Sequence, residues 1–220
     1  MQNKYNPSEI ILWGVSASPY VRKVMVALLE KNIDYTHKEI LPKVLLQATG
    51  QAIPEDFNRV SPLGKIPALQ IKDFCIADSA VIAGYLDRQF SDGQSLYPKN
   101  PEAYARTLWF EHYSDNVLTE IVYKKIFMES VIKPKILNIE SNHDLVEQAK
   151  KVELPPLLDY LNHAVTKYDW IAGDDFSMAD IAIATQLLAL KMTDFNLEKW
   201  RHLNNYLQKV TARESFKVFS

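Results

Sequence analysis

Over the first ninety residues, apolar positions fall in short blocks separated by polar turns. Ile10-Ile11-Leu12-Trp13 is an apolar run closed by Gly14, the mark of a buried strand. A polar turn follows. Ser18-Pro19 reads as a helix start, with serine at the N-cap and proline at the first helical position. Val21, Val24, Met25 and Leu28 recur at helical spacing on one face, with Arg22, Lys23 and Glu30 elsewhere, and Asn32 ends the helix. Ile33 to Ile40 alternates loosely, as a second strand does. This strand–helix–strand order implies parallel pairing through a right-handed crossover. Leu41 to Asn58 is punctuated by Pro42, Gly50 and Pro54 and predicts a short helix plus a loop. Ala68–Ile71 and Phe74–Ile76 are two strands around Lys72-Asp73, a hairpin whose turn carries no glycine and is expected to be wide. Ser79 to Phe90 is a further helix.

Beyond Phe90 the pattern changes. Ser91 to Pro101 is polar and broken by Gly93, Pro98 and Pro101, the clearest linker in the chain. Everything after it has helical character. Glu102 to Ser130 is one long stretch with Trp109, Phe110, Tyr113, Val117, Ile121 and Phe127 along it, and Asp144 to Tyr168 is helical around Pro155-Pro156. Ser177 and Asp180 stand three apart, as N-cap and N3 of a capping box, with Phe176 and Ile181 placed as a hydrophobic staple. Ile181-Ala182-Ile183-Ala184 is apolar all round, so this helix is expected at the centre of its domain. A last helix covers about Trp200 to Ala212. The predicted organisation is an α/β domain over 1–90, a linker over 91–101 and an all-helical domain over 102–220.

Composition narrows the function classes. The chain has 220 residues, 47% of them hydrophobic, and a formal net charge of −2, which gives no pull toward nucleic acid or an acidic membrane. One cysteine, Cys75, leaves no disulfide framework and no Cys-based zinc site, and fits a reducing compartment. The five histidines have no ligand spacing, so no metal is implied. Without a spanning apolar run or a signal-like start, a cytoplasmic protein is expected.

The densest chemical signal is Ser61-Pro62-Leu63-Gly64-Lys65-Ile66-Pro67-Ala68-Leu69, followed by Asp78-Ser79. A proline in an apolar run gives no N–H to a ladder and belongs at a strand start or in a tight turn. An ordinary trans strand start is one reading of Ile66-Pro67. The other is a cis corner that offers the N–H and C=O of Ile66 to an extended peptide. Asp78-Ser79 opens a helix, whose free N–H groups and positive dipole end suit a carboxylate. Either residue also serves as a simple N-cap.

This pair of motifs closely resembles the glutathione-binding half of the cytosolic glutathione S-transferases, and Phe176–Ile183 resembles their helical C-terminal domain. The resemblance covers nearly the whole chain. It implies a thioredoxin-like βαβ–α–ββα domain followed by an all-α domain. It also implies glutathione as co-substrate, a small hydrophobic electrophile as second substrate, and a homodimer. Among the serine-type classes (tau, theta and zeta) the activating serine lies in the turn after the first strand. Ser18-Pro19-Tyr20 looks most like the tau pattern, with Ser16 the second choice and a plain N-cap the alternative for Ser18. Tyr5 precedes the first strand and is poorly placed to be the tyrosine of the tyrosine-type classes.

By the same resemblance, Ile66 pairs with the cysteinyl unit of glutathione. Ser79 faces the γ-glutamyl carboxylate, Asp78 stands nearer the ammonium, and Lys65 and Lys43 are candidates for the glycine carboxylate. Both lysines read equally as solvated surface charges. Tyr20, Tyr113, Asn116 and Phe127 are candidates for a second-substrate pocket between the domains, although aromatics at helical spacing are more often core. Cys75 lacks a Cys-x-x-Cys partner and reads as a core residue rather than a nucleophile. An isomerase or peroxidase using the same thiolate, and a non-catalytic interaction protein on the same fold, are the competing functions.

Overall fold

A computed structural model describes residues 9–219. The expectation for Tyr5 lies outside the described residues. The chain divides into two compact units, one ending at Ser95 and one beginning at Leu96, within the segment read as a linker.

The first unit is a four-stranded mixed sheet with helices. β1 (Ile10–Trp13) leads into α1 (Pro19–Glu30), then β2 (Thr36–Lys38), α2 (Lys43–Ala48), α3 (Glu55–Val60), β3 (Ala68–Ile71), β4 (Phe74–Ala77) and α4 (Ser79–Gln89). The strand order is β2-β1-β3-β4, with β1 parallel to β2 and the other two pairs antiparallel. Ile10, Leu12, Leu69 and Ile71 are buried in the sheet, as apolar residues of a sheet covered by helices should be.

The differences from the sequence expectations are local. β2 keeps only three residues of Ile33–Ile40, because as an edge strand it has a partner on one side alone. The region 41–58 forms two short helices, each begun by a proline at the N-cap, Pro42 and Pro54, rather than one helix and a loop. The hairpin turn is not wide: Ile71 pairs with Phe74, leaving two residues between them. Lys72 takes φ 54°, donates its N–H to the Glu9 carbonyl (3.0 Å) and sets its ammonium 3.4 Å from the Glu9 carboxylate. α1 is buried on more than one face, and Lys23, expected off the apolar stripe, is 1% exposed. Cys75 is half-buried rather than fully enclosed, packed on the cluster of Trp13, Phe57, Val60 and Ala68.

The second unit is all helical. α5 (Pro101–His112) does not run on to Ser130 as a regular α-helix. Wider turns of π type cover Tyr113–Leu118 and Val122–Leu137 on either side of the short α6 (Thr119–Ile121). The coil contains Pro134 and ends at Asn138, whose left-handed φ of 54° stops it. α7 (His143–Gln148), another wide-turned segment (Ala149–Glu153) and α8 (Leu154–Ala164) follow, then α9 (Met178–Lys191), α10 (Arg201–Thr211) and a 3-10 turn (Glu214–Phe219). α9 is the centre of this unit, buried at nearly every position. Its start is the expected capping box: the Asp180 carboxylate accepts from the Ser177 N–H (2.8 Å) and hydroxyl (3.0 Å). It also accepts from the Ile171 N–H (3.0 Å) and the Tyr206 hydroxyl (2.5 Å). No helix among the described residues is long and apolar enough to cross a membrane.

Candidate active site

Sheet register gathers the candidate residues of the first unit. Trp13, the last residue of β1, stands opposite Ala68, the first of β3, and Ala68 stands opposite Ala77, the last of β4. Trp13 also pairs with Lys38, the last residue of β2. The turn Gly14–Ser18, the corner Ile66-Pro67, the pair Asp78-Ser79 and Glu39 therefore all leave the sheet at one end. This matches the general rule that ligands of open α/β sheets bind where strands end and helices begin.

Two glycines let these segments come close. Gly14 has φ +141°, and a Cβ there would lie 2.5 Å from Val21 Cγ2 and 3.1 Å from Ile66 Cβ. The mouth of α1 and the corner at Ile66 thus meet across a residue with no side chain. Gly64 has φ +65°, and a Cβ there would lie 2.3 Å from Lys43 Cβ. The Lys43 N–H donates to the Gly64 carbonyl at 2.8 Å, so the start of α2 is fastened beside Lys65 and Ile66.

The corner is cis at Ile66–Pro67. Neither the N–H nor the C=O of Ile66 has a hydrogen-bond partner among the described residues. Half-buried, these groups are costly to leave unmade, and they suit an extended peptide laid alongside. Lys65 is exposed, and its carbonyl accepts from the Ser61 hydroxyl at 2.7 Å.

Asp78 has φ 82° and caps α4: its carboxylate accepts from the N–H groups of Ala80 (3.0 Å) and Val81 (3.2 Å). The capping reading of Asp78 is therefore realised. Ser79 is 5% exposed at the first turn of this eleven-residue helix, and its hydroxyl has no hydrogen-bond partner among the described residues. Asp78 takes the capping work and leaves Ser79 free to face an anion.

At α1 the arrangement is reversed. Ser18 sits at the N-cap, yet its hydroxyl makes no capping bond. Its N–H donates to the Val15 carbonyl (3.0 Å) and its carbonyl accepts from the Arg22 N–H (2.9 Å), so among the described residues only its backbone is used. The serine is 8% exposed. A hydroxyl at a helix N-terminus with no local acceptor is available to donate to an incoming anion.

Sequence reasoning missed two residues that fix this turn. Arg22 donates its Nε–H to the Ser16 carbonyl (2.7 Å), and burial pulls its guanidinium below the ordinary value. Glu39 accepts from the Ser16 N–H at 3.2 Å. Arg22, four residues after Ser18, was legible as a side chain on the first turn of α1; Glu39 was not, because only the parallel pairing of β1 with β2 brings it there. His37 donates from Nε2 to the Gly14 carbonyl at 2.7 Å and holds the same segment.

Of the residues read as a second-substrate pocket, Tyr20 is half-buried on the first turn of α1. Tyr113, Asn116 and Phe127 belong to the other unit. Tyr113 is 6% exposed and donates its hydroxyl to the Leu157 carbonyl at 3.2 Å. Burial, and then the neighbouring Tyr160, push that phenol well above its usual range. Asn116 is exposed, with its amide on the His112 ring (3.1 Å) and carbonyl (3.2 Å). Phe127 is buried against Tyr123. Among the described residues no group of three His, Cys, Asp or Glu is placed to hold a metal ion.

A mixed β2-β1-β3-β4 sheet with two helix mouths and the Ile66 corner at one end is a thioredoxin-like arrangement. Comparison with known proteins gives the family. Residues 17–89 match the family model described as the glutathione S-transferase N-terminal domain, and residues 123–214 match that of the glutathione S-transferase C-terminal domain. A glutathione S-transferase of Hyoscyamus muticus is 30% identical over 209 residues, covering 93% of this chain and 94% of that protein. Among solved structures, a glutathione S-transferase from Rhodospirillum rubrum superimposes with a TM-score of 0.82 at 24% identity, over 94% of this chain and 90% of that one. A theta-class glutathione S-transferase from Xanthomonas axonopodis, solved with glutathione bound, gives 0.81 at 21% identity, over 95% of each chain. The chain belongs to the glutathione S-transferase family, and its reaction class is that of a transferase.

Proposed function

We propose that the protein binds glutathione at this end of the sheet and transfers its sulfur to hydrophobic electrophiles. The carrying observation is a pair of hydroxyls without a partner among the described residues, Ser18 at the mouth of α1 and Ser79 at the mouth of α4, on either side of the main chain of Ile66, which likewise has none there. The cysteinyl unit of glutathione pairs with the N–H and C=O of Ile66 as an added strand does. Its γ-glutamyl carboxylate meets Ser79 and the first N–H groups of α4, and its ammonium lies toward Asp78. Lys65 and Lys43, beside Gly64, face the glycine carboxylate.

This pose directs the sulfur toward Ser18. A free cysteine thiol titrates near 8.5, and only the thiolate is nucleophilic. The Ser18 hydroxyl donates to the sulfur, and the dipole of the twelve-residue α1 adds to its stabilisation. The thiol proton leaves to solvent. The thiolate attacks an electrophilic carbon, the C–S bond forms, and a halide departs with the bonding pair. With an enone, the carbon chain takes up a proton instead. Ser16, whose backbone is held on both sides by Glu39 and Arg22, serves as scaffold for the turn. By family likeness the protein works as a cytoplasmic homodimer in the detoxification of such compounds.

Retention on immobilised glutathione, with elution by free glutathione, followed by an assay with chlorodinitrobenzene, tests the reading. Both are expected, and Ser18→Ala should lower kcat/KM by about 10- to 100-fold, the worth of one hydrogen bond to a charged acceptor, while Ser18→Thr restores most of it. A protein that neither binds the column nor conjugates is an interaction protein on this fold. A Ser18→Ala enzyme at full activity removes Ser18 from its role.

A further inference from the structure

Ser18 is delivered to the mouth of α1 by a single turn. Its N–H donates to the Val15 carbonyl at 3.0 Å and closes a four-residue turn with Ser16 and Ala17 at the centre. The first central residue of that turn is held from outside it. The Ser16 N–H donates to the Glu39 carboxylate (3.2 Å), and the Ser16 carbonyl accepts from Arg22 Nε (2.7 Å). Two residues before it, Gly14 donates its N–H to the Lys38 carbonyl at 3.0 Å. Glu39 follows β2 directly, so the edge strand reaches one residue past its last pairing with β1 to fasten the turn.

Charge separates what Glu39 could do here. A carboxylate near the mouth of α1 opposes the thiolate that the helix dipole and the Ser18 hydroxyl favour. Arg22 has the helpful sign and Glu39 has the wrong one. Among the described residues the Glu39 carboxylate meets the Ser16 N–H and, at 3.9 Å, the His37 ring. Its through-space effect on a thiol and its hold on the turn therefore act in opposite directions, and a titration tells them apart.

Resting on the functional reading above, we infer that Glu39 is a positioning residue for Ser18: by holding the Ser16 N–H it sets the turn that aims the Ser18 hydroxyl at the glutathione sulfur, and it favours the thiolate despite its own charge. Glu39 touches neither glutathione nor electrophile and exchanges no proton. A net hydrogen bond of this kind corresponds to an effect of about five-fold, or about 0.7 unit in the titration of the bound thiol.

The test titrates glutathione bound to the full-length protein by ultraviolet difference spectroscopy, in Glu39→Ala and Glu39→Gln, each with and without Ser18→Ala. Glu39→Ala is expected to raise the bound thiol by about 0.7 unit and to lower kcat with chlorodinitrobenzene at neutral pH about five-fold. Glutathione KM should stay near the wild-type value, because Ile66, Ser79 and the lysines hold the tripeptide. Glu39→Gln keeps an oxygen for the Ser16 N–H and should recover most of the loss. In the Ser18→Ala background, Glu39→Ala should raise nothing further, since the turn then has no hydroxyl to aim. A Glu39→Ala protein whose bound thiol titrates at or below the wild-type value overturns the inference, because that is the sign of a removed charge. So does a Glu39→Gln protein no better than Glu39→Ala, or a rise of full size in the Ser18→Ala background, which reports a loosened site. A wild-type protein whose bound thiol titrates as free glutathione does fails the functional reading first, and the inference falls with it.

Discussion

Replacing Gly14 with alanine probes the contact on which the site's geometry depends. The added methyl meets two costs. At φ +141° an L-residue is outside its allowed regions, a penalty of about 1–3 kcal/mol. The new Cβ would lie 2.5 Å from Val21 Cγ2 and 3.1 Å from Ile66 Cβ. Val21 is fully buried on α1, so its methyl cannot swing away, and the backbone of the turn or of the corner must give. Overpacking of this kind costs about 1–3 kcal/mol. Taking about 3 kcal/mol for the sum, and about 2–4 °C per kcal/mol for a chain of this length, the melting temperature should fall by about 6–12 °C. The glutathione KM should rise in the same variant, because the mouth of α1 is driven from Ile66. Gly84→Ala is the control. It lies within α4 with nothing inside 4 Å of the added carbon, so it should raise stability by about 0.5–1 kcal/mol. Calorimetry and glutathione titration of both variants check this. A Gly14→Ala protein that melts like the wild type would refute the close approach.

Asp78→Ala removes the acceptor for two N–H groups of α4 and should cost about 1 kcal/mol. Asp78→Asn keeps the cap, so it should leave stability nearly unchanged in urea titrations while still raising glutathione KM. Asp180→Ala strands the buried donors Ile171 N–H, Ser177 N–H and Tyr206 O–H. At about 1–3 kcal/mol each it should destabilise the protein by at least about 3 kcal/mol, read from the denaturation midpoint. Glu129 pairs with Lys133 (2.6 Å) and accepts the Asn142 N–H (2.9 Å). The hydrogen bond from Lys133, then that from Asn142, hold its carboxyl below the ordinary 4.5. A depressed folded-state value means stability that is present above 4.5 and lost as pH falls through the folded value. Glu129→Gln should therefore flatten the stability–pH profile below pH 4.5, measured by urea unfolding across the acid range.

The parts of this architecture governed by local rules were readable from residue order. Ser18-Pro19, Asp78-Ser79 and Ser177/Asp180 announce helix starts because cap chemistry is set within four residues. Ile66-Pro67 announces a strand start or a tight turn because proline cannot join a ladder, and the choice between them came from the structure. What depends on three-dimensional closure was not readable. Glu39 and Arg22 converge on Ser16 only once β1 has paired with β2 and α1 has packed. The need for Gly14 and Gly64 comes from Ile66 and Lys43, which are distant in the chain. Lys72 at positive φ defeats an expectation built on glycine's usual monopoly of such turns, since its bonds to Glu9 compensate. The wide helical turns at Val122–Leu137 leave no mark in an apolar spacing that a regular α-helix would share.

The central claim is that a hydroxyl at the mouth of α1 lowers the titration of a thiol held at Ile66. Ultraviolet difference spectroscopy of bound glutathione across pH measures that thiolate directly, in the wild type and in Ser18→Ala. The account predicts a bound thiol at least about one unit below the 8.5 of a free cysteine thiol, returning toward it in Ser18→Ala. A bound thiol that titrates as free glutathione does, or one whose shift survives the loss of the Ser18 hydroxyl, contradicts it.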